Sequence, residues 1–306
     1  MDASTRPPQK RHQVSRHLAG SLMAICVWST SAALANAPQL DSSQNNSTSQ
    51  ATAPAAHDMA IATVKPGEEG LELSARFSEN GTENVNGVEW LITNESGDKV
   101  FDGLTAVAVA KLPPGDYQVA ANYGAAHIVQ GLTVHEGTKL IISFVLNAGG
   151  LRVLPRVKNL GLPKVPSESK VYALSGTAKG QLITTSFTPG EVMKVSAGDY
   201  RIESHFENGN ALAITDVRVR PGIMSAVNID HVAGLATLEL SGADVADVAW
   251  TVTDENAAVS FTSKSNLSLV LKPGHYSAQA EISGQKFTEE FDISAGKTSK
   301  VIVQTH

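Results

Sequence analysis

Leu112-Pro113-Pro114-Gly115-Asp116-Tyr117-Gln118-Val119 is the stretch on which the fold turns. The proline pair and glycine mark a turn, and the tyrosine opens a segment with a period of two. Tyr117, Val119, Ala121 and Tyr123 fall on one face, and Asp116, Gln118, Ala120 and Asn122 on the other. One apolar and one polar face describe a half-buried strand of an antiparallel sheet. A tyrosine at the start of such a strand suits a tyrosine corner, with its ring in the core and its hydroxyl bonded back to the chain. The unit returns as Ala197-Gly198-Asp199-Tyr200 and as Pro273-Gly274-His275-Tyr276, each followed by the same alternation.

Each corner has an aromatic upstream and a glycine downstream. Trp90, Tyr172 and Trp250 lie 27, 28 and 26 residues before the tyrosines, and Gly137, Gly222 and Gly296 lie 20, 22 and 20 after them. Landmarks at nearly constant offsets predict one structural unit used three times. Each unit opens on a glycine and an alternating run, at Gly70-Leu71-Glu72-Leu73, Gly150-Leu151-Arg152-Val153 and Gly234-Leu235-Ala236-Thr237. The expected modules are 70–149, 150–233 and 234–306, with no linker between them. Such short joints predict a stiff rod of touching modules. The expected fold is all-β: tandem immunoglobulin- or prealbumin-like antiparallel sandwiches, since no window after residue 66 has helical periodicity. Trp90, Tyr117, Tyr172, Tyr200, Trp250 and Tyr276 are the predicted structural core aromatics.

The N-terminus reads as an address. Lys10, Arg11 and Arg16 precede the short apolar stretch Leu18 to Trp28, and Ala33-Leu34-Ala35 supplies a small-x-small cleavage site. Residues 1–35 are therefore expected to be a signal peptide, with an uncleaved anchor as the alternative. Cys26, the chain's single cysteine, lies within it, so a cleaved chain would hold no disulfide and no thiolate site. Residues 36–69, rich in Ser, Gln, Ala and Pro, are expected to be a disordered linker. Removing residues 1–35 leaves 20 basic and 29 acidic residues, a net charge of −9. That balance offers no footprint for nucleic acid, and no membrane insertion is expected after cleavage.

Reaction chemistry is hard to assemble from the remaining residues. The histidines His57, His127, His135, His205, His231, His275 and His306 show no metal-ligand spacing; His127 and His135 are the nearest pair, eight apart. No Gly-x-Ser-x-Gly elbow is present. Glu68-Glu69 and Glu289-Glu290 are sequence neighbours, unlike the converging carboxyls of a glycosidase. No catalytic, cofactor or metal residue is therefore assigned, and the chain is expected not to be an enzyme. Arg152, Arg156, Lys158 and Lys164, among Pro155, Pro163 and Pro166, form the most basic segment, a candidate interaction loop for an acidic partner.

The run Leu112 to Val119 resembles the final-hairpin motif of carboxypeptidase-regulatory-like and collagen-adhesin B-type modules. The larger order is similar to that of uncharacterised exported proteins of rhizobia and other α-proteobacteria. Its marks are Gly-Asp-Tyr modules, Asn147-Ala148-Gly149-Gly150-Leu151, Tyr200-Arg201-Ile202-Glu203-Ser204 and Ala249-Trp250-Thr251-Val252. The resemblance covers roughly residues 70–306 and implies transthyretin-like β-sandwiches and an exported location, without an activity. The expected function is that of an exported, non-catalytic cell-envelope protein, periplasmic or at the cell surface. It would act as a structural or interaction rod whose partner is an envelope protein or cell-wall polymer. The alternative is a periplasmic protein that binds glycans or peptidoglycan fragments.

Overall fold

A computed structural model describes residues 57–241, 248–254, 258–263 and 266–305. The expected signal peptide and most of the expected linker lie outside the described residues. Among those described, every regular element is a β-strand. The strands fall into three blocks along the chain, each made of two sheets.

The first block holds β1 (His57–Thr63), β2 (Gly70–Arg76), β3 (Val88–Asn94), β4 (Lys99–Thr105), β5 (Val107–Lys111), β6 (Gly115–Tyr123), β7 (Ala126–Val134) and β8 (Thr138–Val145). Its sheets run β1-β8-β2-β5 and β4-β3-β6-β7. The second holds β9 (Ala148–Val157), β10 (Ser167–Ala173), β11 (Leu182–Ser186), β12 (Val192–Ser196), β13 (Gly198–Phe206), β14 (Leu212–Val219) and β15 (Met224–His231). Its sheets run β12-β9-β15 and β11-β10-β13-β14. The third holds β16 (Gly234–Ser241), β17 (Val248–Thr253), β18 (Ala258–Ser263), β19 (Asn266–Leu271), β20 (Gly274–Ile282), β21 (Gln285–Ile293) and β22 (Thr298–Gln304). Its sheets run β19-β16-β22 and β18-β17-β20-β21.

Period-two burial builds these layers. Along β6, Tyr117, Val119 and Ala121 are buried while Asp116 and Gln118 are exposed. The buried side faces the inner face of the other sheet, where Leu71, Leu73, Ile142 and Phe144 are closed to solvent. The Trp90 ring meets Phe144 across this core with centroids 5.8 Å apart. An aromatic of this size buries roughly 150–250 Å², about 4–6 kcal/mol of transfer free energy, before the entropy of ordering the chain is subtracted. The sheets are antiparallel apart from one parallel pairing per block: β2 with β8, β9 with β15 and β16 with β22. In the second and third blocks the strand that enters thus lies parallel beside the strand that leaves, while in the first β8 lies between β1 and β2.

Successive blocks are joined by two residues, Leu146-Asn147 and Val232-Ala233. Asn147 takes φ 48°, a left-handed value that asparagine tolerates better than most residues, and its carbonyl accepts the Ala197 N–H at 2.6 Å.

The expected linker is corrected at its C-terminal end. His57–Thr63 is a strand, paired residue by residue with β8 from His57↔Phe144 to Thr63↔Thr138. Met59 and Ile61 remain 54% and 61% exposed, so burial of apolar side chains does not hold β1 in place. Backbone pairing, an Asp58–Arg76 ion pair at 2.6 Å and the His57–Phe144 ring contact do. The segment Val64–Glu69 then crosses the end of β8, and the Glu69 carboxylate pins that crossing. It accepts the Gly67 N–H at 2.6 Å and the Gly137 N–H at 3.1 Å. Backbone N–H donors hold its pKa below the usual carboxylate value, against the opposing effect of burial.

Candidate functional site

The corner tyrosines are structural. Each hydroxyl donates to a carbonyl four residues earlier: Tyr117 to Pro113 at 2.8 Å, Tyr200 to Ser196 at 2.7 Å and Tyr276 to Lys272 at 2.9 Å. Burial raises all three phenol pKa values. Trp90 and Trp250 have no exposed surface. Trp90 Nε1 donates to the Thr105 carbonyl at 3.0 Å.

Tyr172 is a correction. It is half-buried on the outward side of β10, opposite Arg201, while Ser169, Val171 and Ala173 point inward. Register identifies the true counterpart. Trp90 sits opposite Ala121 and Trp250 opposite Ala280, each partner four residues after its corner tyrosine, and the matching pair in the second block is Ser169↔Ser204. A hydroxyl thus stands where the other blocks carry an indole. Around it the core becomes polar: Ser167, Ser169, Ser204 and His231 are all buried. Ser204 Oγ lies 3.5 Å from Ser169 Oγ and 3.2 Å from His231 Nε2. The His231 ring packs on Phe206 at 4.8 Å, and Nδ1 has no hydrogen-bond partner among the described residues. Burial drives the His231 pKa down, keeping the imidazole neutral, and the Ala211 backbone only partly opposes this. Ser204 and His231 have 0% exposure, so no substrate reaches this serine–histidine pair.

The basic segment is also corrected. Arg152 and Arg156 belong to β9, the central strand of its sheet, not to a loop; alternation turns them outward while Leu151, Val153 and Val157 face the core. Pro155 is accommodated because β12 covers only Ala148 to Arg152, leaving one side of the strand without a ladder to complete. Arg156 is paired with Asp230 at 3.0 Å. Lys158 and Lys164 alone lie in the exposed connection to β10. The four cations therefore do not share one loop.

His127 is exposed on β7 and His135 sits in the following turn. Among the described residues no three His, Cys, Asp or Glu side chains converge as a metal site would need. His275 meets Asp292 at 2.9 Å and Glu290 at 3.2 Å on an exposed strand face.

What sequence reasoning missed is the construction of the joints between blocks, which repeats. In the first, the β6–β7 hairpin of one block rests on the edge strand β12 of the next. Ala125 N–H donates to the Lys194 carbonyl at 2.8 Å, and Lys194 Nζ lies 4.3 Å from the centre of the Tyr123 ring. Gly124 approaches so closely that an added Cβ would stand 2.7 Å from Lys194 Cβ. In the second, the β13–β14 hairpin rests on the edge strand β19. Val270 N–H donates to the Asn208 carbonyl at 2.8 Å, and Gly209 forms a bridge with Val270. A Cβ on Gly209 would stand 1.9 Å from the Val270 carbonyl oxygen. Asn210 then latches the joint: Oδ1 accepts the Lys272 N–H at 2.8 Å, and Nδ2 donates to Tyr276 Oη at 3.0 Å and Asp254 Oδ2 at 3.2 Å. Lys194 and Val270 are each six residues before their corner tyrosine. A second contact recurs as well. The end of the opening strand abuts the next block's glycine turn, through Phe77 at Gly222 and Lys158-Asn159 at Gly296.

Two stretches of the chain, residues 76–155 and 237–305, match the Rhizobiales growth-associated tandem repeat domain. The repetition of one domain match supports tandem modules like those of rhizobial proteins. They cover most of the two blocks that carry a core tryptophan, while most of the block with Ser169 in that place goes unmatched. No curated protein matches the chain. Among solved structures, the Bacillus anthracis TIE protein is similar at 17% identity and a TM-score of 0.25, over 78% of this chain and 51% of that one. The chain therefore spans about half the length of that protein. A streptococcal ancillary pilin aligns at 12% identity and a TM-score of 0.28, over 81% of this chain and 99% of its own. BcpA, the major pilin subunit of Bacillus cereus, aligns at 12% and 0.23 with the same coverage. Likenesses this distant carry no argument for what the chain does.

Proposed function

We propose that the chain is an exported, non-catalytic protein of the cell envelope, whose three β-sandwich modules form a structural or protein-interaction rod. The observation that carries this reading is where the aromatic residues go. Trp90 and Trp250 are closed to solvent and every corner hydroxyl is bound to its own chain. Edge strands, hairpins and outward sheet faces are what remain for contact, and they suit partners that add a strand or dock a turn. Leu104, 73% exposed on the edge strand β4, is one such position. The partner on this reading is an envelope protein or a cell-wall polymer. The alternative, a glycan or peptidoglycan-fragment site, would use open aromatic faces. The two core indoles offer none, and Lys194 occupies a face of Tyr123.

The test is fractionation of the native cell, combined with a photo-crosslinking residue at Leu104. The expected result is recovery from the periplasm or outer surface, an N-terminus beginning after Ala35, and discrete adducts with envelope components. Retention in the cytoplasm, or turnover of a substrate by the purified chain, would overturn the proposal.

A further inference from the structure

The joints follow a rule. At each, a glycine at the tip of a block's corner hairpin seats its backbone on the next block's edge strand, six residues before that block's corner tyrosine. Gly124 seats on Lys194 and Gly209 on Val270. The two hairpins differ in length, two residues against five between strands. The shared requirement is thus a bare backbone against an outward-facing strand edge, not one loop shape.

The chain carries one more hairpin and one more seat. The hairpin is Ser283-Gly284, between β20 and β21, exposed and with nothing within 4 Å of a Cβ built on Gly284. The seat is Lys111 on β5, six residues before Tyr117. β5 is an edge strand. Leu112 donates its N–H inward to Glu69 O, so strand alternation turns the Lys111 N–H and C=O outward, as the joints turn Lys194 C=O and Val270 N–H. Lys111 is exposed where Lys194 is half covered by its hairpin. A cleft of about 450 Å³ opens beside it, lined by Gly67, Glu69, Lys111, Pro113, Pro114 and Glu136.

We propose that the Ser283-Gly284 hairpin of one copy seats on the Lys111 edge of a second copy, continuing between chains the joint that is made twice within one chain. The match is closest to the first joint. Both seats present a lysine, and both hairpins have two residues between their strands. Lys111 would lie over Ile282 as Lys194 lies over Tyr123, exchanging a cation–π contact for an aliphatic one. Ser283 stands where Gly124 comes nearest to Lys194, so the glycine that approaches is Gly284 and the hairpin sits slightly further out. The contact is heterologous, using different surfaces on the two partners, so it propagates into open chains of molecules instead of closing a symmetric dimer. It is far smaller than a standard interface, so assembly depends on concentration. The inference stands whether or not the proposed envelope role does.

The experiment mixes two full-length chains, each with Cys26→Ser so that the introduced thiol is the only one. One carries Ser283→Cys, already a non-glycine position at φ 50°; the other carries Lys111→Cys and a mass tag. Both positions are exposed. The control pairs Ser283→Cys with Glu89→Cys, exposed on β3 of the same block as Lys111. On mild oxidation the first pair is expected to give about tenfold more disulfide-linked heterodimer than the control, because disulfides need Cβ atoms about 4 Å apart. The chain bearing both cysteines should give a ladder of linked species. Equal yields from the two pairs would overturn the proposal, as would closure of the doubly substituted chain on itself or burial of position 111 by residues of its own chain. A second measurement needs no thiol. Lys111→Pro removes the lysine side chain together with the outward N–H and should reduce the oligomer fraction seen in sedimentation at high concentration; a wild-type chain that stays monomeric throughout refutes the idea.

Discussion

Asn210→Ala tests the latch between the second and third blocks. The side chain makes three hydrogen bonds across the joint, and their settings differ. The bond from Nδ2 to Tyr276 Oη, 3.0 Å, and that to Asp254 Oδ2, 3.2 Å, are half-buried, so each is worth about 1 kcal/mol, the carboxylate one being charge-assisted. The bond from Lys272 N–H to Oδ1 is exposed, and water can replace it at about 0–0.5 kcal/mol. The expected loss is therefore about 2 kcal/mol, or roughly 4–8 °C in Tm for a folded region of this size. Asn208→Ala is the matched control, because Asn208 serves the joint through its carbonyl alone and its truncation should cost less than about 0.5 kcal/mol. Urea unfolding followed by circular dichroism reads both values, and loss of coupling between blocks should broaden or split the transition. A loss at Asn210 below about 0.5 kcal/mol, or equal losses at both positions, would refute the reasoning.

Other expectations follow from the core and its titrating groups. Trp250→Ala should cost about 3–5 kcal/mol by leaving a cavity; a loss below about 1 kcal/mol in the same unfolding measurement would place the ring at the surface. The Glu69 carboxyl has a folded pKa below its ordinary 4.5. It therefore adds stability that is present above 4.5 and lost as pH falls through the folded value. Glu69→Gln should flatten that acid limb, and an unchanged pH profile would contradict the pinning role. His231 titrates with the opposite consequence for charge. Its folded pKa lies below the ordinary 6.5, so protonation favours the unfolded chain and stability falls as pH drops below 6.5. His231→Leu should remove that slope, read from Tm between pH 7 and 5, with His205 and Asp230, which also act on its charge, left in place.

The layered fold was legible because sandwich strands carry their own signal. The alternation at Tyr117, Val119 and Ala121 states which face is buried, and the glycine-led openings place the central strands. Tyr172 misled because counting back from a tyrosine assumes equal loop lengths. The second block puts its inward position three residues earlier, and its occupant is a serine, which no aromatic search would find. β1 was illegible for another reason: its alternating residues stay exposed, so only the unpaired edge of β8, a tertiary fact, makes it a strand. The Arg152–Lys164 segment looked like a loop because its charges and prolines conceal the inward Leu151, Val153 and Val157. The joints were beyond reach altogether, since they depend on glycines whose function appears only when another backbone arrives beside them.

In each block the first central strand and the last lie side by side and run the same way, over seven rungs in β2 with β8, eight in β9 with β15 and seven in β16 with β22. In the first block tension along the polypeptide enters through β1, which runs antiparallel to β8; in the second and third it enters through one member of the parallel pair and leaves through the other. There it pulls the two in shear, so their rungs share the strain together and do not open in succession like a zip. Blocks wired in this way should resist stretching along the chain better than blocks whose rungs open one after another.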